Sequence, residues 1–349
     1  MKIRWTWCVC AVALLATVGC GGSDDESSST TAPDKAEETS TAVERPEGTW
    51  NLAFWTTERE GAALGDALQS VVTFTPKCDS GPCDVDITPA GANGTYRPEG
   101  YPVADPVEPG TPYTATWDEK SETYVRHEEP KLDSCTTADG KVVQDGYSVE
   151  RTTTYEFEPA KDSKPASVQG TYVEVATGTP TGAPQGCTDY KATWTVAGAP
   201  ADAFAEGGPS FADSYVITEI VEATEPVDQR PKGFRGVIAA DAKVTTEGDS
   251  VLLAGTRSVP AKLTETDGAW SGSATDATSR CSEGDGPAEY DSTETWTGLR
   301  TIALTQQGTP ILAGRWDVME TPNATGQANG CTVGSNKGYV ILVPSAAVG

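Results

Sequence analysis

One histidine, nine cysteines and a large excess of carboxylates bound the chemistry open to this 349-residue chain. His127 is the only imidazole, so any Ser-His-Asp triad would have to be built on it. No Gly-x-Ser-x-Gly elbow supplies a nucleophile, and Arg126, Glu128 and Glu129 flank the ring as on a solvated strand. No catalytic residue is assigned. Paired carboxylates of the glycosidase kind are available, but among 51 Asp and Glu no single pair stands out. Asp84-Val-Asp86 and the stretch from Glu283 to Asp291 could gather oxygen ligands for Ca²⁺, yet neither fits the twelve-residue calcium loop. Solvated acidic loops are the plainer reading of both. Cys78 and Cys83 lack Cys-x-x-Cys spacing, and no second pair completes a zinc set. With no Gly-x-Gly-x-x-Gly and no Walker-type loop, neither a cofactor nor a metal is expected.

Charge removes one class of partner. The chain carries 25 Lys and Arg against 51 Asp and Glu, a net charge of -26, which repels the phosphate backbone that cationic side chains must neutralise. No nucleic-acid partner is expected. A hydrophobic content of 37% with 22% charged residues suits a folded protein, but no motif names a substrate or ligand.

The elements that position these residues begin with an export signal. Lys2 and Arg4 precede an uncharged, largely apolar stretch of 14 residues from Trp5 to Val18, too short to span a bilayer and typical of a secretory signal. Its end, Leu15-Ala16-Thr17-Val18-Gly19-Cys20, resembles the lipobox of bacterial lipoproteins, with Thr17 departing from the Leu usual at that position. The resemblance implies that residues 1–19, with Cys8 and Cys10, are removed. It also implies that Cys20 carries acyl chains, palmitate among them, that hold the protein to a membrane on its extracytoplasmic side. Residues 20–47 then read as the lipidated cysteine and a disordered tether. Residues 21–47 contain eight acidic and two basic side chains among Ser, Thr, Ala and Pro, too little apolar surface to offset chain entropy.

From Gly48 the pattern becomes short alternating segments rich in Thr, Val and aromatics, broken by Gly, Pro and Asp-Gly. In Tyr190-Lys-Ala-Thr-Trp-Thr-Val196, for example, Tyr190, Ala192, Trp194 and Val196 fall on one face. Such alternation predicts an all-β fold; only Ala62 to Ser70 hints at a helical turn. The chain also matches itself. Gly170, Tyr172, Gly186, Cys187 and Thr188 recur as Gly314, Trp316, Gly330, Cys331 and Thr332 at an offset of 144, and Tyr124 and Cys135 as Trp270 and Cys281 at 146. A fixed offset marks duplication. It predicts two related antiparallel β-meander domains, barrel or sandwich, at 48–197 and 212–345, joined by a linker at 198–211. In an exported protein the six remaining cysteines read as disulfides. The repeat favours Cys135–Cys187 and Cys281–Cys331, leaving Cys78–Cys83 as a clip across a turn.

Seven tryptophans lie beyond the tether. Tyr172 and Trp316, matched between the halves, are read as core rather than ligand contacts. Gly48-Thr-Trp50 and Gly314-Arg-Trp316 are similar to the Gly-x-Trp opening of lipocalins and avidin-like barrels, a resemblance of three residues each that implies closed or nearly closed barrels. The expectation is a lipid-anchored binding or scaffolding module at the bacterial envelope, meeting the membrane through Cys20 and other envelope components through its β domains, and not an enzyme. An enzyme acting on envelope glycan through paired carboxylates is the alternative from another class. A lipocalin-like carrier of a small apolar molecule is a third.

Overall fold

The computed structural model describes residues 45–59, 64–90, 110–161, 164–208, 210–225, 235–256, 258–277, 281 and 286–348. The expected signal peptide, Cys20 and the tether up to Glu44 lie outside the described residues. The described chain is all-β and forms two closed eight-stranded antiparallel barrels. The first contains β1 (Gly48–Arg59), β2 (Ala67–Pro76), β3 (Val85–Pro89), β4 (Tyr113–Asp118), β5 (Thr123–Thr136), β6 (Val142–Glu158), β7 (Ser167–Gly178) and β8 (Tyr190–Pro200). The second contains β9 (Ser214–Glu225), β10 (Arg235–Glu247), β11 (Ser250–Ala254), β12 (Ala261–Thr266), β13 (Ala269–Asp276), β14 (Tyr290–Leu304), β15 (Pro310–Pro322) and β16 (Gly334–Pro344). Each strand pairs with its chain neighbours, and β8 closes on β1 as β16 closes on β9. Closure leaves no unpaired sheet edge. Among the described residues no helix is long and apolar enough to cross a membrane.

Local sequence sets these hairpins. Thr266 pairs with Ala269 across Asp267-Gly268, both at positive φ (51° and 71°), the two-residue turn that matches strand twist and favours Asp-Gly. At several matched positions the two barrels share register as well as topology. Arg151, Thr153 and Tyr147 of β6 face Glu174, Tyr172 and Gly178 of β7, while Glu294, Trp296 and Tyr290 of β14 face Val318, Trp316 and Pro322 of β15. Tyr172 then faces Trp194, and Trp316 faces Gly338. His127 opposes Thr152 as Ser273 opposes Thr295.

The bridges Cys135–Cys187 and Cys281–Cys331 occupy matched places, with Cα separations of 5.9 and 5.8 Å, and Cys78–Cys83 closes a turn before β3. Beside the two long bridges, Tyr147 and Tyr290 donate to the Thr188 and Thr332 carbonyls, each at 3.0 Å. Gly182 and Gly326 are also matched there. A Cβ on either would lie 2.0 or 2.1 Å from the carbonyl oxygen of Gly146 or Glu289, so only glycine allows this backbone approach.

Side chains alternate between lumen and exterior, and the exterior of one wall is apolar in both barrels. Ala53, Trp55, Ala67 and Ala197 of the first barrel pack against Val216, Ile302, Ile311, Ala313, Ile341 and Val343 of the second. Trp55, 2% exposed, donates its indole N–H to the Ala347 carbonyl at 3.1 Å. Thr218 accepts from the Ala67 N–H at 3.0 Å and donates to the Gly65 carbonyl at 3.1 Å, tying the β1–β2 connection to the second barrel. Gln169 crosses in the other direction, donating to the Leu304 carbonyl at 3.0 Å.

Three local expectations are corrected. Of the helical hint from Ala62 to Ser70, Ala62 and Ala63 lie outside the described residues, and the rest gives way to a turn at Leu64 and Gly65 and to β2, extended from Ala67, because Leu68 and Ser70 take lumen positions while Ala67 packs between the barrels. The segment expected as linker from residue 198 begins as strand, since β8 continues to Pro200 and Ala199 is buried. The last residues of the expected tether pack on the first barrel: Pro46 is buried, and the Glu47 carbonyl accepts the Trp50 indole N–H at 3.0 Å.

Candidate functional site

The lower half of the first barrel is sealed by aromatic rings. Phe157 meets Trp50, Phe74 and Tyr124 edge-on, with centroid distances of 5.3, 5.2 and 5.5 Å, the arrangement that ring quadrupoles favour. Above this plug the lumen opens into a cavity of about 900 Å³, within the range of small-molecule sites. Its walls come from all eight strands, with Pro89 the contribution of β3. Phe54 and Arg59 reach in from β1, Leu68 and Ser70 from β2, and Arg126 and Glu128 from β5. Arg151, Thr153 and Tyr155 come from β6, Tyr172 and Glu174 from β7, and Trp194 from β8, with Tyr113 at the start of β4.

Strand periodicity explains this placement. Tyr124, Arg126 and Glu128 are alternate residues of β5, as are Tyr172, Glu174 and Ala176 of β7, so the charged residues follow their aromatic neighbours inward. The two carboxylates are then engaged by donors. Glu174 receives Arg151 Nε at 2.8 Å, the Tyr190 hydroxyl at 2.7 Å and the Tyr172 hydroxyl at 3.2 Å. Glu128 holds Arg126 at 2.7 Å and Lys131 at 3.7 Å. The Arg126 guanidinium carbon stands 3.4 Å from the Tyr113 ring centroid, and that of Arg59 lies 5.3 Å from the Tyr190 centroid, both cation–π contacts. Burial, reinforced by the Glu174 carboxylate, pushes the Tyr172 and Tyr190 phenols upward. Burial does the same to Tyr113 and raises Tyr155 strongly. All four hydroxyls therefore keep their protons at neutral pH and serve as donors.

The residues singled out in the sequence fare differently. Tyr172, expected in the core, lines the cavity, because the space above Phe157 is left open, whereas its counterpart Trp316 is buried and 3% exposed. His127 stays half exposed on the outer face, with Nδ1 3.2 Å from Thr152 Oγ1 and Nε2 3.6 Å from Glu150. Asp84 accepts the Trp117 N–H at 3.1 Å, and Asp86 binds Lys77 at 2.9 Å and Thr114 at 2.7 Å. These two carboxylates answer protein donors. Of the other acidic stretch, residues 282–285 lie outside the described residues. Glu289 turns inward and is 1% exposed, accepting from the Cys281 N–H at 2.8 Å and the Asn329 amide at 2.6 Å. Cys281, Glu289 and Cys331 bring their ligand atoms within 4.8 Å, but both sulfurs are bonded to each other.

Sequence reasoning passed over Arg59, Arg126, Glu128, Arg151 and Glu174. For Arg126 and Glu174 the signal was the phase of the alternation, two positions from Tyr124 and Tyr172 on the same face; Glu128 and Arg151 lie one step further along such a face, and Arg59 follows a β-bulge that breaks the alternation. No protein-family model and no curated protein matches the chain.

Proposed function

We propose that this protein is an extracytoplasmic binding module, held to the membrane through Cys20, whose first barrel takes a small ligand into its lumen. The cavity of about 900 Å³ above the Phe157 plug carries this reading, because a concave, largely preformed space onto which polar groups converge, here five charged side chains among aromatic walls, is the form of a ligand site. The lipocalin-like carrier is thus favoured among the expectations for this barrel. A glycan-cleaving role finds less support: Glu174 is surrounded by three donors and Glu128 by two cations, so neither is presented to a sugar ring. The second barrel acts as a structural partner, and the lipid on Cys20 places the open barrel near the membrane surface.

The test is binding of a neutral fluorescent reporter, N-phenyl-1-naphthylamine, to the full chain carrying Cys20→Ser. Saturable binding is expected. Thr153→Trp, which copies the residue at the matched position of the second barrel, fills the lumen and should lower affinity at least tenfold. Ser70→Phe fills it from the opposite wall and guards against misfolding of the first variant. No saturable binding, or binding unaffected by both variants, removes the proposal.

A further inference from the structure

The polar groups of the lumen are unequally supplied. The Glu174 carboxylate already meets three donors and Glu128 two. The three arginines are less engaged. A guanidinium offers five N–H donors in a planar fork and accepts nothing. Arg151 gives Nε to Glu174 and one terminal nitrogen to Asp133 at 3.5 Å. Arg126 gives one terminal nitrogen to Glu128, and Arg126 and Arg151 also reach the phenol oxygens of Tyr113 and Tyr172, which leaves part of each fork over. Arg59 stacks on Tyr190 with no carboxylate partner among the described residues. The surplus is therefore in donors and positive charge, in a chain whose net charge is -26. Deeper in the cavity, the walls at Phe54, Leu68 and Tyr155 are apolar or aromatic.

We propose that the lumen of the first barrel takes an amphipathic anion, an apolar body ending in one carboxylate or phosphate head that meets Arg59, Arg126 and Arg151. This rests on the lumen being a ligand site. The head satisfies the remaining forks with charge-assisted hydrogen bonds, while the body covers the Phe54 and Leu68 wall. The acids Glu128 and Glu174 hold two of the three guanidinia in place and disfavour a second negative group on the ligand.

Displacement of the neutral naphthylamine reporter by four compounds of one chain length reads the charge preference separately from occupancy. Dodecanoate and dodecyl phosphate are compared with dodecanol and dodecyltrimethylammonium, all below their micellar concentrations. An anion should displace the reporter at roughly tenfold lower concentration than the alcohol, the ratio expected for hydrogen bonds to a charged group, and the cation should be weakest. The stronger of the two anions names the head. Arg59→Gln should cut the anion-to-alcohol ratio by at least half, since it removes charge from an exposed rim side chain. Equal displacement by alcohol and anion, or preference for the cation, overturns this inference while leaving lumen binding intact. Failure of the reporter itself to bind overturns the proposed function instead.

Discussion

The two barrels pair β6 with β7 and β14 with β15 in the same register from Tyr147 to Thr153 and from Tyr290 to Trp296, and put different side chains at the same lumen positions. Where β6 and β7 of the first place Arg151, Thr153, Tyr172 and Glu174, the matched strands of the second place Glu294, Trp296, Trp316 and Val318. Trp296 is fully buried, and Trp316 hydrogen-bonds Glu294 with its indole N–H. An indole stands where a threonine stands in the other copy. The barrel wall is thus indifferent to what it encloses, and a few substitutions on the inward alternate decide between a packed core and an open lumen. The difference at these positions is one of volume and donor count, with the local pairing unchanged; only beyond Thr297 does the β14–β15 ladder take register shifts that β6–β7 lacks.

The largest test of this comparison is at Trp296. Trp296→Ala should destabilise the protein by about 3–5 kcal/mol, because truncating a buried aromatic leaves a void in a close-packed interior. Thr153→Ala at the matched site should cost under about 1 kcal/mol, the scale of a net hydrogen bond. Urea midpoints measure both, and similar costs at the two sites would erase the distinction between packed and open interiors.

A smaller contrast lies beside the disulfides. Gly146 of the first barrel and Glu289 of the second occupy the same place: a Cβ on Gly146 would lie 2.7 Å from Cys187 Sγ, whereas Glu289 fills the space and accepts from Cys281 and Asn329. Glu289→Ala removes a buried carboxylate that holds two part-buried donors and should cost about 1–3 kcal/mol, the scale of hydrogen bonds to a charged group. Gly146→Ala should cost a similar amount by overpacking, about 1–3 kcal/mol. If either variant melts like the parent, the two bridges are not differently supported.

The mildest effect appears only in base. Burial raises the folded-state pKa of Tyr113, Tyr155, Tyr172 and Tyr190 in the first barrel, and of Tyr215 and Tyr290 in the second. A phenol held protonated in the fold but free to ionise near pH 10 when unfolded contributes stability that is complete below that pH and lost as pH rises further. Tyrosinate absorbance should therefore lag behind that of a denatured control and then rise together with loss of the β signal. A stepwise rise while the fold persists would show that the lumen phenols are open to water.

Much of the architecture was legible in the sequence, because β strands with one buried face print their period directly. The repeat made the long disulfides readable too, since the spacings, 52 and 50 residues, nearly agree and Gly-Cys-Thr recurs at Cys187 and Cys331. The site was harder to see. In Tyr124-Val-Arg-His-Glu128, charge on both sides of His127 reads as a solvated strand, yet the ring points outward and Arg126 and Glu128 point into the lumen. Periodicity gives two faces without saying which is inside, and charged residues bias the choice toward solvent. The helical hint before β2 failed for a tertiary reason, as Ala67 is fixed between barrels by Thr218.

The apolar wall shared by Ala53, Trp55, Ile311 and Ile341 has a consequence for descent. A duplicated barrel that still has a polar exterior can be lost, swapped or separated without harm to its twin. Once both copies have traded that exterior for a common seam, neither can be excised without baring a sticky flank, the kind of patch that leads to aggregation. From then on the lineage inherits the pair as one object. The second copy is retained through the seam alone, and its interior is released to fill with indoles while the first keeps its opening.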